Sequence, residues 1–134
     1  MAGLIVLDAD VLIGQLNRDD AHHLRARTLL LRFADERREL AASVLTLAEV
    51  MVGPALAGRL GAAESAIRDL GVAEIALPPG APARLAGLRA ATTRRLPDCC
   101  VLLAAEDSGA VAIATFDKSL SAAAEQRGLR VAAG

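Results

Sequence analysis

The chain has no tryptophan and no tyrosine, and Phe33 and Phe116 are the whole of its Phe, Trp and Tyr content. A sheet that binds RNA by stacking bases on exposed aromatic rings therefore has almost nothing to build with. Cysteine is as scarce. Cys99 and Cys100 are sequence neighbours, a spacing that suits neither a metal knuckle nor a disulfide framework, so a reduced, cytoplasmic protein with two buried thiols is expected. Neither sign of charge is in excess: 15 basic and 16 acidic residues leave a net charge of −1, and no global field draws in a polyanion. Lysine is nearly missing, because every basic residue except Lys118 is arginine. That bias reads either as a GC-rich coding sequence or as a choice of the better side chain for bidentate phosphate contacts. Long apolar runs are also lacking. The first, Leu4 to Leu7, stops at Asp8 with no basic segment before it, so neither a signal peptide nor a membrane span is expected.

What the chain does have is apolar bulk: 54% of its 134 residues are hydrophobic. That excludes a disordered polymer and fits one domain over 1–134, burying roughly two-thirds of its unfolded surface. Short β-branched runs alternate with longer stretches of helical period. Leu4-Ile5-Val6-Leu7 is the pattern of a strand buried on both faces. Residues 20–38 repeat apolar positions at helical spacing, and a short strand fits around 40–44. A helix from Thr46 to about Leu60 is apolar on most sides, with a kink expected at Pro54, and must be buried in the core or against a partner. Further helices are expected over 61–70, 83–94, 97–109 and 117–127, with strands over 72–77, 111–114 and 129–132. No repeat or linker interrupts this order. The fold class is α/β, with a mostly parallel central sheet and helices on both faces.

In such sheets chemistry gathers outside the carboxyl ends of the strands. Four acids fall at strand-to-helix junctions or in the first turn of the following helix: Asp8, Glu49, Asp98 and Asp117. Each has a purely structural explanation. Thr46-Leu47-Ala48-Glu49 matches a capping box, Asp98 complements a helix dipole, and Asp8 and Asp117 suit N-caps. Their joint placement is harder to explain away. Two carboxylates 4 Å apart repel by about 4 kcal/mol at an effective dielectric of 20. A cluster on one sheet edge needs protons or a divalent cation to cancel it. An oxygen-only donor set favours Mg²⁺ or Mn²⁺ over zinc. Such ions activate water for phosphodiester hydrolysis without a protein nucleophile, and the sequence carries neither a Ser-His-Asp set nor a P-loop. His22 and His23 lie far from these junctions in sequence and read as surface or partly buried residues.

With the acids placed, the chain resembles the PIN-domain ribonucleases, most of all the VapC-type toxins of toxin–antitoxin modules. The resemblance rests on LIVLDADVLIG at 4–14, VLTLAEVMVGP at 44–54, RLPDCCVLLAA at 95–105 and ATFDKSL at 114–120. It implies a PIN-like three-layer α/β/α sandwich. It makes Asp8, Glu49, Asp98 and Asp117 the catalytic, metal-binding acids, with Thr115 as a supporting hydroxyl. Asp10 departs from the family pattern, which more often has Ser, Thr or Asn there. A fifth carboxylate at that position either strengthens metal binding or caps the first short helix. Arg94 and Arg95 are candidates for substrate phosphate, against the alternative of a solvated helix end. The resemblance further implies an RNA substrate cut endonucleolytically, a Mg²⁺ or Mn²⁺ cofactor, a homodimer and a cognate antitoxin. The 44–70 stretch is the candidate for part of the dimer or antitoxin surface.

Two rival readings remain to be set beside it. A haloacid-dehalogenase-type phosphatase would also use Asp8-Ala9-Asp10 after a strand, but it needs a lysine ahead of its closing acids, and Lys118 follows Asp117. A PIN-like module that binds RNA or a protein without cutting is the alternative from a different class, and replacing Asp8 by Asn separates it from a nuclease.

Overall fold

The computed structural model of the chain describes residues 3–132. Four strands, β1 (Leu4–Leu7), β2 (Glu39–Ser43), β3 (Val72–Ile75) and β4 (Ala112–Ala114), form one sheet in the order β3-β2-β1-β4. Every pairing is parallel. Because β1 is central, its side chains meet cover on both sides. Ile5 and Leu7 join one apolar cluster and Val6 joins the other, which is why an unbroken apolar run, without alternation, forms this strand.

The helices divide between the faces. Those contributing to the first cluster are α1 (Ala9–Leu16), α2 (His23–Asp35), α3 (Val44–Leu56) and α4 (Leu60–Asp69). The second cluster holds residues of α5 (Ala81–Thr92), α6 (Leu96–Ser108) and α7 (Lys118–Gln126). The result is a three-layer α/β/α sandwich with an all-parallel sheet. Helix α6 is buried without interruption from Asp98 to Ala105, and Cys99 and Cys100 lie inside it as free, buried thiols. No helix among the described residues is long and apolar enough to cross a membrane.

Several boundaries differ from the sequence reading, each for a tertiary reason. Helix α3 opens at Val44 after Ser43, so Thr46 lies inside its first turn and Glu49 in its second. The Thr46–Glu49 capping box does not form. Thr46 is instead buried, at 1% exposure. Pro54 falls in the last turn and terminates the helix two residues on, where a kink had been expected. Helix α2 begins only at His23, because residues 17–22 fold as turns. The expected last strand over 129–132 shrinks to a single parallel bridge, Val131 to Ile113, held by Ile113 N–H to Arg130 O and Ala132 N–H to Ile113 O, both 2.8 Å.

The chain runs β1, β2, β3 in one direction across the sheet and then returns to place β4 on the other side of β1. That reversal opens a crevice at the carboxyl ends of β1 and β4. The buried α6 anchors one wall of it. Leu102→Ala, at a position with no exposure, is expected to lower unfolding free energy by about 3 kcal/mol. Leu31→Ala, more than half exposed, should cost under about 1 kcal/mol. Urea titration of both variants checks the ranking, and equal losses would contradict this account of the core.

A carboxylate cluster at the sheet edge

Asp8 is the first residue past β1 and the N-cap of α1. Its two oxygens have different tasks. Oδ1 accepts the Ala9 N–H at 2.7 Å, while Oδ2 accepts the Thr115 hydroxyl at 2.7 Å. Thr115 is the first residue past β4, so continuing the parallel register puts it beside Asp8. Its own oxygen accepts the Asp117 N–H at 3.1 Å, which leaves its proton to point at Asp8. Asp117 is the N-cap of α7, with Oδ1 taking the N–H groups of Ser119 and Leu120. The capping explanation therefore holds for Asp8 and Asp117, and in each only Oδ1 does the capping.

Asp10 sits in the first turn of α1 and does not cap it. Its Oδ2 accepts the Phe116 N–H at 2.9 Å and stands 3.4 Å from the Thr115 hydroxyl, so it pins the loop between β4 and α7. Its Oδ1 is buried and has no hydrogen-bond partner among the described residues. Asp98, in the first turn of α6 and 7% exposed, accepts from Arg94 Nε at 3.2 Å. Arg94 is placed by Thr93, which ends α5 in the left-handed region at φ 58°, an uncommon conformation for a β-branched residue. Arg94 is therefore already engaged by an acid of the cluster. Arg95, next along and exposed, lies near enough to Glu49 to favour its ionised form.

The acids sense one another in a chain. Burial pushes the Asp8 carboxyl up to about 7. The negative charge of Asp10 adds to the effect and that of Asp98 contributes less, against the opposing hydrogen bonds from Thr115 and Ala9. Asp10 is raised by burial and by Asp117, and lowered by the Phe116 and Val11 N–H groups and by His22. Glu49 is raised by burial and then by Asp98. Glu49, Asp98, Asp8, Asp10 and Asp117 thus form one electrostatically linked row, from α3 across to α7.

Among the described residues no three acids, histidines or cysteines stand close enough to cage a metal ion. Mg²⁺ rarely needs a cage, since one or two carboxylates with water complete its shell. An oxygen-only row, an Asp8 carboxyl raised chiefly by burial and then by its acidic neighbours, and an unpartnered buried Oδ1 on Asp10 suit a hard divalent cation. Ser43 and Thr46, each 1% exposed with an unpartnered hydroxyl, lie at the end of β2 and the start of α3, on the flank of Asp8 away from Thr115.

Sequence reasoning set His22 apart from these junctions. It is partly buried, as expected, and the structure adds a spatial contact: its ring lies 4.8 Å from the ring of Phe116, tilted by 33°, and it lowers Asp10. No short-range signal links His22 to the site, because the contact depends on how residues 17–22 turn back. Two clefts lie apart from the centre of the row. One of about 810 Å³ is lined by Leu4, Leu30, Leu40 and Leu70 and holds none of its acids. The other, about 700 Å³, runs between α1, α3 and α4 with Glu49 on its rim.

The model of the PIN domain family matches residues 5–126. Among curated proteins none matches the sequence significantly. Solved structures share the fold. A toxin–antitoxin complex from Klebsiella pneumoniae aligns with a TM-score of 0.69 at 22% identity, over 88% of this chain and 90% of that one. VapC20 of Mycobacterium tuberculosis, described as a toxin that cleaves the sarcin–ricin loop, gives 0.68 at 18% identity over 89% and 94%. VapBC2 from Rickettsia felis, solved with a fragment of its promoter DNA, gives 0.68 at 13% over 96% and 97%.

The raised Asp8 carboxyl has a consequence for stability. The folded chain keeps this proton up to about pH 7, whereas the unfolded chain releases it near 3.8. Between those values the native state binds more protons, so stability present below about pH 4 is lost as pH rises towards 7. The loss is on the order of a few kcal/mol. In chelator, Asp8→Asn should therefore melt several degrees above the wild type at pH 8 and level with it near pH 4. A melting difference independent of pH would refute the strain at Asp8.

Proposed function

The chain belongs to the PIN-domain family, and from that premise we propose that it is a cytoplasmic, VapC-type ribonuclease toxin. It acts as one domain that cuts RNA phosphodiester bonds with Mg²⁺ or Mn²⁺ and is held in check by an antitoxin. The observation that carries this reading is the linked row of carboxylates at the carboxyl edge of the sheet, with Asp8 at its centre held by Thr115. The structural likeness to a Klebsiella toxin–antitoxin complex and to a toxin that cuts the sarcin–ricin loop supports it.

Asp8, Glu49, Asp98 and Asp117 are the catalytic and metal-holding acids, and Asp10 supports them with its unpartnered oxygen. A bound divalent cation supplies Lewis acidity at phosphorus and lowers the pKa of the attacking water. The residues of the chain do the positioning. Thr115 fixes the plane of the Asp8 carboxylate, and the Phe116 N–H fixes Asp10. Arg94 holds Asp98 while its side chain stays about one-quarter exposed, close enough to the crevice for its remaining N–H groups to meet a substrate phosphate. Arg95 stands beside Glu49 for the same purpose. With water activated in this way, no general base from the protein is required.

The α3–α4 side is the candidate for part of the surface that meets the antitoxin or a second copy of the chain. Val52 and Leu56 in α3 are 56% and 86% exposed, Leu60 opening α4 is 43% exposed, and the cleft of about 700 Å³ with Glu49 on its rim lies alongside. Val52 and Leu56 lie one turn apart on α3, and exposed apolar residues grouped in this way mark a protein interface. Its continuity with Glu49 lets a partner cover both the surface and the site.

The direct experiment combines induction of the protein in cells, mapping of new RNA 5′ ends and cleavage of the same RNA by purified protein. Wild type should arrest growth and produce discrete ends, with activity lost in chelator and restored by Mg²⁺ or Mn²⁺. Asp8→Asn should reduce cleavage to background. Arrest that persists in Asp8→Asn would replace the nuclease by a binding module. A second measurement reads the ion directly. Saturating Mn²⁺ should raise the wild-type melting temperature by mass action, and Asp98→Ala should respond less. Identical shifts would mean that Asp98 takes no part in holding the ion.

A further inference from the structure

One lip of the acid row is built from side chains that the chemistry above leaves unused. Phe116, which directly follows Thr115 and ties its N–H to Asp10, is half buried and packs on the first apolar cluster. Its ring also meets two polar planes. The His22 ring lies 4.8 Å away with a 33° tilt, and the Arg25 guanidinium carbon lies 4.5 Å from the ring centroid. The His22 side chain is 42% exposed, and Arg25 is exposed. Aromatic ring, imidazole and guanidinium together make a flat, cationic, partly wetted surface at the edge of a negative crevice.

The lip is firmly mounted. The His22 N–H donates to Asp20 Oδ1 at 2.8 Å, and His23 Nδ1 pairs with the Gly14 carbonyl at 2.7 Å. A Cβ on Gly14 would come within 3.2 Å of the His22 carbonyl oxygen and 3.1 Å of Ala26 Cβ. The absent side chain thus lets the turn at 17–22 close onto α1 beside Asp10. Phe33 is the fully buried aromatic of the first cluster, whereas Phe116 packs on it only in part, and a leucine at 116 would keep apolar contact there. What leucine cannot supply is a π face for a cation and a planar ligand.

We propose, resting on the nuclease reading above, that the His22–Phe116–Arg25 lip is the nucleotide-binding subsite. On this proposal it takes the base of a single-stranded RNA nucleotide next to the phosphate being cut. The base stacks on the exposed face of this cluster, and the cationic groups offset the repulsion that the acids exert on the neighbouring phosphate. Arg94 and Arg95 flank the crevice from the α6 side, so a strand lying across the row meets positive charge on both lips. Stacking of this kind tolerates any base but requires it to be unpaired.

The test uses the full chain carrying Asp8→Asn, so that bound RNA stays intact, and short fluorescein-labelled single-stranded oligouridine and oligoadenosine as probes. Anisotropy titrations compare this parent with the added changes Phe116→Leu, Phe116→Trp and His22→Ala. Phe116→Leu should weaken binding of both probes about tenfold while the chain still melts cooperatively. Phe116→Trp should retain the affinity, and His22→Ala, a surface change, should weaken it severalfold. In the cleaving protein the same Leu change should alter which bonds are cut, a readout that loose packing alone does not move. Parent-like binding by Phe116→Leu, while wild type still cleaves RNA, would overturn the subsite and leave the nuclease standing. Absence of RNA binding by the parent together with absence of cleavage by wild type would overturn both.

Discussion

The mutual repulsion of carboxylates, brought to one edge of a parallel sheet, is the constraint around which the site is built. A parallel sheet delivers all its strand ends to the same side, so acids that follow β1 and β4 and open α6 and α7 cannot avoid one another. In a partly buried crevice such charges interact several times more strongly than in water. The fold answers with backbone dipoles. Asp8, Asp10 and Asp117 each turn one oxygen to N–H groups at a helix start or loop, where the positive helix terminus favours negative charge. Against those donors, burial above all and the neighbouring carboxylates after it raise the carboxyls of Asp8 and Asp10, and the same two causes raise Glu49.

Thr115 is the pivot of this arrangement, because one hydroxyl serves two acids. It accepts from the backbone of Asp117 and donates to Asp8, so its hydroxyl adds a side-chain link to the backbone bond from Asp8 N–H to Ala114 O that already joins the ends of β1 and β4. On the far side Arg94 does for Asp98 what Thr115 does for Asp8, with a full charge in place of a dipole. The left-handed Thr93 aims that guanidinium. Backbone strain of this sort persists only where surrounding bonds over-determine it. Here Thr92 Oγ1 accepts the Arg94 N–H while the Arg94 carbonyl accepts from Arg89.

Much of this could be read from the sequence, because the information is local. An apolar run ending in an acid marks a strand end, and Pro97-Asp98 marks a helix start. From these the parallel α/β order and the positions of Asp8, Asp98 and Asp117 at sheet-edge helix starts all follow. What could not be read depended on tertiary choice. Ser43 and Thr46 are both good N-cap types three residues apart, and burial of Thr46 decided between them. The final strand became one bridge because the short β4, at the sheet edge, offers only Ile113 for it to pair with. His22 reached the site through the close approach that Gly14 permits, which no periodicity encodes. Asp10 was left between two roles, and the bond from Phe116 adds a third, loop fixation, that depends on a residue 106 positions away.

On the nuclease reading the same repulsion sets the order of events. A pocket of acids repels the phosphate it is meant to cut, and the arginines and histidine on its lips only partly offset this. A divalent cation bound among the acids discharges the pocket, so cation binding raises the affinity for RNA. Linkage then requires RNA to raise the affinity for the cation by the same factor. The carboxylate row therefore does more than hold an ion for chemistry. It makes substrate and ion depend on each other, and the lip where His22, Phe116 and Arg25 lie is left to hold the strand by contacts that do not depend on the ion.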